Sequence, residues 1–311
     1  MTTQAELTAF SPAKINLYLR ITGKRPDGYH DLETVMLPLD FGDELVCQWR
    51  PSGLSRECDN VTLPTDDRNL ALRAARQLAD RCHVKQGAHL ILRKRTPLAA
   101  GLGGGSSNAA LVLATLNQLW QLQAPLATLH ELAASMGSDI NFFLAKSTAL
   151  CRGRGEQVEP VACRLSATVL LVNPGFGIAT KWAYESLSRP GRGWAKAASG
   201  LTPATESGLT VVPPPVTLLT RALAADDLTG VAAALFNSLE APSVGKFPVL
   251  ELLKDALRAH GAAGAMMSGS GATVFGLFAQ ASDAVSAAAQ IRAEFGPSMW
   301  TQVTRMAKTP R

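Results

Sequence analysis

The segment RKRTPLAAGLGGGSSNAALVLATLNQLW, residues 93–120, sets Gly101, Gly103, Gly104 and Gly105 ahead of Ser106, Ser107 and an apolar run. Ordering glycine costs more backbone entropy than ordering any other residue, so such a cluster serves a tight turn or a close approach of backbone to something else. Ala109, Val112, Leu113, Leu116 and Trp120 recur at helical spacing, which predicts a helix from Ser106 to about Trp120 with one core stripe. The first amides of a helix lack intrahelical partners and sit at its positive pole, so this arrangement suits an anion. A dinucleotide fingerprint fits poorly: Gly101 and Gly103 fill two positions of G-x-G-x-x-G, but the third falls on Ser106. The Walker spacing and its Gly-Lys-Ser/Thr ending are absent. Two readings stay open, a phosphate cradle and a plain helix cap by Ser106 or Ser107. Lys94 lies upstream as a candidate cation, with a solvated surface charge as its competing role.

With 311 residues, 47% of them hydrophobic, the chain is long enough for two domains of roughly 150 residues. Charged residues make up 18%, the formal charge is +5, and Lys and Arg are scattered. That distribution suits an anionic metabolite at least as well as nucleic acid, for which a basic face with interleaved aromatics would be wanted, and no nucleic-acid partner is expected. The opening MTTQAELTAF lacks a targeting pattern and no apolar run reaches a membrane span, so a soluble, cytoplasmic protein without a membrane partner is expected. Cysteines at 47, 58, 82, 151 and 163 form no CxxC pair and read as reduced thiols, with no zinc framework.

Strand-like alternation over residues 7–21 leads through the turn GKRPDGYH into the extended segment DLETVMLPLDFGDELVCQW. NLALRAARQLADRCH predicts a helix with Asp66 and Asp67 as nearby caps, followed by the strand AHLILRK. A further helix is expected from beside Pro125 to Gly137, then a short apolar element in SDINFFL and a strand. Beyond a boundary near residues 155–167 come the strand SATVLLVNPG, a helix over about 178–187, and a Pro/Gly/Ser-rich linker over 188–216. Helices around 217–236 and 247–259, strands GAMMSG and ATVFGLF, a helix around 281–293 and a strand near WTQVTRMA complete the pattern. It predicts an α+β protein of two domains, 1–160 and 161–311, with helices covering mainly antiparallel sheets.

Three separated segments, PLAAGLGGGSSNAA, SPAKINLYL near the start and MSGSGATVFGLF near the end, resemble the motifs of the galactokinase, homoserine kinase, mevalonate kinase and phosphomevalonate kinase (GHMP) superfamily. Within it, AKINLYL, GKRPDGYH, the glycine loop, GSDINFFL and NPG together most closely resemble the branch acting on 4-diphosphocytidyl-2-C-methyl-D-erythritol. The resemblance covers essentially the whole chain. It implies an N-terminal ribosomal-protein-S5-domain-2-like domain that binds ATP, a C-terminal ferredoxin-like domain contributing substrate contacts, and an active site between them. It also implies ATP and Mg²⁺ as cofactors, a cytidine diphosphate-linked polyol as substrate, and a monomer or weak homodimer.

By the same resemblance Lys14 and Asp139 are catalytic. Taken alone, Asp139 after its Gly-Ser turn reads as a helix cap. Lys14 in an apolar context reads as half of an ion pair, because an unpaired buried cation is costly. Nucleotide contacts are carried onto Asn69, Leu70, Lys94, Pro97, Leu98, Ala99, Ala100, Gly101, Leu102, Gly103, Gly104, Gly105, Ser106 and Ser107, and onto Gly269, Ser270 and Gly271 of the late SGSGA turn. Asn69 has a cap and Leu70 a core role as alternatives. Ser106 or Ser107 is expected close to the metal, with no dedicated protein cage. Substrate recognition falls to Asn16, Tyr29, His30, Thr180 and Tyr184, the two tyrosines suited to sandwich a cytosine ring. Two departures stand out: Asn141 and Ser238 occupy positions where this branch commonly has proline and aspartate.

Overall fold

The computed structural model describes residues 5–60, 63, 66, 68–187 and 213–307. Asp67 and residues 188–212 of the expected linker lie outside these. Two long strands, β1 (Glu6–Lys24) and β2 (His30–Arg50), form from the early alternating segments. The intervening turn closes by the Arg25 N–H donating to the Tyr29 carbonyl at 2.8 Å. Contacts divide the chain into two units, one of Met1–Ala13, Phe41–Pro97 and Gly103–Lys146, the other of Lys14–Asp40, Leu98–Leu102 and Ser147–Arg311. The units therefore interleave in sequence, whereas the sequence-based division at 160/161 is a single cut. No helix among the described residues is long and apolar enough to cross a membrane.

In the first unit, β4 (Gly87–Arg93) runs antiparallel to the end of β2, from Glu44 opposite Arg93 to Arg50 opposite Gly87. A strand that the sequence pattern did not reveal, β3 (Leu54–Cys58), pairs with β4 in parallel. Four helices accompany them: α1 (Leu70–Arg81), α2 (Gly104–Leu119), α3 (Leu126–Met136) and α4 (Ile140–Ala145). The stripe of Ala109, Val112, Leu113, Leu116 and Trp120 is buried as its spacing required. The cap of α1 is Asn69, whose Oδ1 accepts from the Ala71 and Leu72 amides at 3.0 and 3.4 Å. This corrects the expectation for Asp66, which instead pairs with Arg68 in solvent.

In the second unit, β5 (Ala149–Arg152) lies antiparallel between residues 34–36 of β2 and β6 (Gln157–Pro160). A four-stranded antiparallel sheet has the order β11-β7-β10-β9, where β7 is Thr168–Asn173, β9 Gly264–Met267, β10 Val274–Phe278 and β11 Trp300–Arg305. Leu170, Val172 and Phe278 pack with Leu253, Leu257 and Ile291 into its core, contributed by α9 (Val249–Ala259) and α10 (Ala281–Phe295). After α5 (Thr180–Leu187), the single helix expected over 217–236 is broken. Asp226 ends α6 (Val216–Ala225) in a left-handed conformation, and Asp227 caps α7 (Leu228–Ala233) through the Gly230 amide. Residues Phe236–Asn237 then form β8, parallel to β1, and Glu240–Lys246 form α8.

Candidate functional site

Helix α2 starts at Gly104, earlier than the sequence pattern suggested, so both serines lie inside its first turn. Its cap residue is Gly103, in a left-handed conformation at φ 71°, and no side chain caps the helix. Ser107 is fully buried and its Oγ accepts from Ser11 Oγ at 2.8 Å, while its amide closes onto Gly103 O at 2.9 Å. The serine-cap reading is thereby overturned. The amides of Gly104, Gly105 and Ser106 precede the first intrahelical bond and are open to an anion. Ser106 is half-buried, so its hydroxyl is the more accessible of the two. Lys94 is no surface charge: its ammonium is buried against Asp43 and also donates to Asn108 Oδ1 at 2.9 Å. A Cβ on Gly104 would lie 3.3 Å from that ammonium nitrogen and 3.1 Å from Thr96 Cγ2, a tight fit against the side chains that pack there. Leu70 at the head of α1 lies against the same turn, its Cδ1 3.7 Å from where a Gly105 Cβ would stand. Asp139 is half-buried at the start of α4 and makes no capping bond with its side chain, against the cap reading. Asn141, one of the two departures, is buried with Oδ1 3.1 Å from His130 Nδ1.

The second unit assembles the tip of the glycine loop with the early and late motifs. Lys14 is 3% exposed on β1, and its ammonium donates to Asn16 Oδ1 at 2.5 Å and to Gly101 O at 3.0 Å. The Lys14 amide donates to Leu102 O at 2.9 Å. Asn16 in turn donates through Nδ2 to Thr34 Oγ1 at 2.9 Å. Ser268, the first residue of the SGSGA turn, donates to Gly101 O at 3.0 Å. Gly101 itself must be glycine: at φ 76° a Cβ would stand 2.0 Å from Ser268 O. A Cβ at Gly269 would meet Asn16 Oδ1 at 3.1 Å and the Lys14 ammonium at 3.2 Å. The late turn is thus in direct contact with the early lysine. Along the loop, Ala100 and Leu102 are buried, Leu98 and Ala99 exposed, and Pro97, which belongs to the first unit, is half-buried. The Thr273 amide reaches Ala100 O at 3.2 Å. Gly271 donates its amide back to Ser268 O at 3.0 Å.

A third group in the same unit carries the aromatic candidates. His30 and Tyr184 stand with ring centroids 5.4 Å apart and planes tilted by 39°. Burial, with the Lys24 charge adding to it, pushes the His30 imidazole below its ordinary value, so the ring is neutral at pH 7. Tyr29 is 54% exposed with the Arg154 guanidinium 5.0 Å from its centroid. Tyr184 therefore stands against the His30 ring, while Tyr29 stands exposed beside Arg154. Thr180 at the head of α5 lies with Oγ1 3.1 Å from Ser270 Oγ, which links this group to the late glycine turn.

Residues 69–146 match the family described as GHMP kinases N terminal domain, and residues 219–297 match GHMP kinases C terminal. A 4-diphosphocytidyl-2-C-methyl-D-erythritol kinase of Synechococcus sp. (strain JA-2-3B'a(2-13)) is 39% identical over 93% of this chain and 90% of its own. The chain belongs to the 4-diphosphocytidyl-2-C-methyl-D-erythritol kinase family of GHMP kinases. The relative from Chlorobaculum tepidum is 38% identical over 94% of this chain and 96% of its own. A crystal structure of 4-(cytidine 5'-diphospho)-2C-methyl-D-erythritol kinase superposes with a TM-score of 0.77 at 33% identity, covering 97% of this chain and all of that one. Homoserine kinase from Cytophaga hutchinsonii shares the fold, with a TM-score of 0.72 at 17% identity over 99% of this chain and 96% of its own. The two-domain fold is that of the GHMP kinases; the C-terminal match lies wholly in the second compact unit, and the N-terminal match lies in the first except for Leu98–Leu102.

Proposed function

We propose that this chain is an ATP-dependent kinase that phosphorylates the 2-hydroxyl of 4-diphosphocytidyl-2-C-methyl-D-erythritol, giving the 2-phosphate and ADP in the non-mevalonate route to isoprenoid precursors. The observation that carries the reading is 39% identity along 93% of the chain to a kinase named for that substrate. Phosphoryl transfer asks little covalent chemistry of a protein and much positioning and charge stabilisation. In this reading the open amides of Gly104, Gly105 and Ser106 hold phosphate oxygens. Asn69 and Leu70 at the head of α1 border the adenine, and the late turn Gly269–Gly271 completes the phosphate side. Asp139 receives the proton of the acceptor hydroxyl, and the Lys14 ammonium stabilises the alkoxide that develops. Asn16, Tyr29, His30, Thr180 and Tyr184 bind the cytidine-bearing end. A neutral His30 can donate at one ring nitrogen and accept at the other, which suits a cytosine edge. N-terminal residues 1–160 then form the ATP-binding domain, and residues 161–311 contribute substrate contacts.

Mg²⁺ bound with the triphosphate offsets its charge during transfer. Among the described residues no group of three or more His, Cys, Asp or Glu side chains is arranged to hold a metal. The accessible hydroxyl of Ser106 and the triphosphate's own oxygens fit Mg²⁺, which keeps several waters and takes few protein ligands.

The test is an ADP-release assay with three acceptors, the cytidylylated methylerythritol, homoserine and mevalonate, on the parent, Asp139→Asn and Lys14→Ala. Turnover is expected with the first acceptor alone, falling by about 10²-fold or more in both folded variants. Equal turnover with an acceptor that lacks cytidine would refute the substrate assignment. Near-parent turnover in Asp139→Asn would refute the proton-acceptor role.

A further inference from the structure

Asp43 lies on β2 and is 1% exposed, far in sequence from the glycine loop. Its carboxylate nevertheless holds both legs of that loop. On the entering leg, Oδ1 accepts from the backbone amides of Arg95 and Thr96, each at 2.8 Å, and Oδ2 accepts from the Lys94 ammonium. On the leaving leg, Oδ2 accepts from Asn108 Nδ2 at 3.0 Å, inside the second turn of α2. Asn108 closes the circuit, its Oδ1 accepting from Lys94 at 2.9 Å and its Nδ2 also donating to Ser11 Oγ at 2.8 Å. Ser11 then donates to Ser107. Five donors thus converge on this small buried set, three of them on a single pair of carboxylate oxygens from one side of the loop. Taking the carboxylate out of water favours its neutral form, but Lys94 and the two amides outweigh that and hold it ionised, below its ordinary value. Asparagine in its place would turn an NH₂ group toward donors, and glutamate would be one methylene too long for a site this closed.

A loop with Ala99, Gly101 and Gly103 all at positive φ has no intrinsic preference strong enough to hold one shape. Ordering such a loop on ligand binding would cost affinity unless the protein fixes it beforehand. We propose that Asp43 is the positioning residue of the phosphate loop, a carboxylate clasp that joins residues 94–96 to α2 and sets affinity for the nucleotide without touching it. The inference rests on the nucleotide-kinase reading of this loop and assigns to Lys94 a role in the clasp.

The experiment measures Mg·ATP binding by calorimetry, the KM of ATP and of the cytidylylated acceptor, and Tm, on the full chain. Asp43→Asn is expected to weaken Mg·ATP binding and raise the ATP KM by about tenfold, with the acceptor KM changed by less than about twofold. Leu253→Ala, in the core of the other unit, is expected to lower Tm and leave both KM values alone. Asn108→Ala leaves the Lys94–Asp43 pair and the Arg95 and Thr96 amide bonds in place and removes the α2 leg together with the Asn108 bonds to Lys94 and Ser11, so it serves if Asp43→Asn does not fold. About a threefold rise in ATP KM is expected there, again with the acceptor KM unchanged. Parent-like ATP affinity in whichever variant is folded, or an equal rise of both KM values, overturns the clasp while leaving the kinase reading intact. The same ATP loss in Leu253→Ala overturns it too, since general destabilisation would then explain the effect. A parent protein that binds no Mg·ATP brings down the kinase reading and the clasp with it.

Discussion

Gly101 shows how a single residue type is dictated by its neighbours. Its left-handed φ costs an L-residue about 1–2 kcal/mol, and a Cβ at 2.0 Å from Ser268 O would push apart the loop tip and the late turn. Gly101→Ala is therefore expected to lower stability by more than the strain alone, and to cut kcat/KM for ATP by about tenfold or more, read by urea denaturation and steady-state kinetics. Asp43 makes a second residue-scale prediction, now in pH. Its folded carboxyl binds a proton less tightly than the unfolded one, so its contribution is present above the ordinary carboxylate value of about 3.9 and is lost as pH falls through the lower folded value. The Tm deficit of Asp43→Asn should accordingly be full at neutral pH and shrink toward zero in acid. A deficit that grows on acidification would contradict the ionised clasp. Neither residue's partner was legible in the sequence. Gly101 could be read as a turn glycine, but Ser268 is 167 residues away. Asp43 meets Lys94 and Asn108 across separations of 51 and 65 residues, in a strand pattern where an acid carries no local signal. Lys14, by contrast, was conspicuous because a cation in an apolar strand demands a reason.

Elements were legible where local periodicity and punctuation agreed. α3 runs between Pro125 and Gly137 as those two residues dictate, and the α2 stripe is buried where the 3.6-residue period placed it. The failures have local causes. Over 216–233 the apolar period continues through Asp226 and Asp227, which act as a stop and a start, and only the left-handed turn between them breaks the helix. β3 reads as a polar loop because it is a half-exposed strand whose pattern carries little hydrophobic contrast. β8 is too short to show a period, and Ser238 beside it accepts from the Ile21 amide at 3.1 Å through its hydroxyl. The head of α1 offers a prediction at this scale, because Asn69 has two jobs to separate. As N-cap it holds the Ala71 and Leu72 amides, and in the proposed function it also borders the adenine. Asn69→Ala should cost about 1 kcal/mol of stability and raise the ATP KM, whereas Asn69→Ser keeps a capping oxygen and should raise the KM with Tm near the parent's. An ATP KM that simply follows Tm across the two variants would reduce Asn69 to a cap.

Across the whole molecule, residues distant in sequence supply chemically different tasks. The chain returns to each unit more than once, so each is assembled from segments far apart in sequence. Amides and small residues gather around the glycine loop, and the Tyr184 ring lies against His30, so affinity for the two substrates should be separable by mutation. Tyr184 is the sharper probe of that separation. Its ring is half-buried against His30 at 5.4 Å, and a ring pair of this kind contributes about 0.5–1.5 kcal/mol beyond the area it covers. Tyr184→Ala removes the pair and any stacking face that the cytidine uses. Tyr184→Phe keeps both and loses only the hydroxyl. The acceptor KM is expected to rise about tenfold in Tyr184→Ala and by less than about threefold in Tyr184→Phe, with the ATP KM of both near the parent's. The discriminating measurement is calorimetric binding of CDP alone, without ATP. If the ring reads the cytidine, CDP affinity falls in Tyr184→Ala in the same proportion as the acceptor KM rises. A raised acceptor KM with CDP affinity untouched would mean that Tyr184 serves the polyol end or only the packing of α5, and the cytidine face would have to be sought at Tyr29.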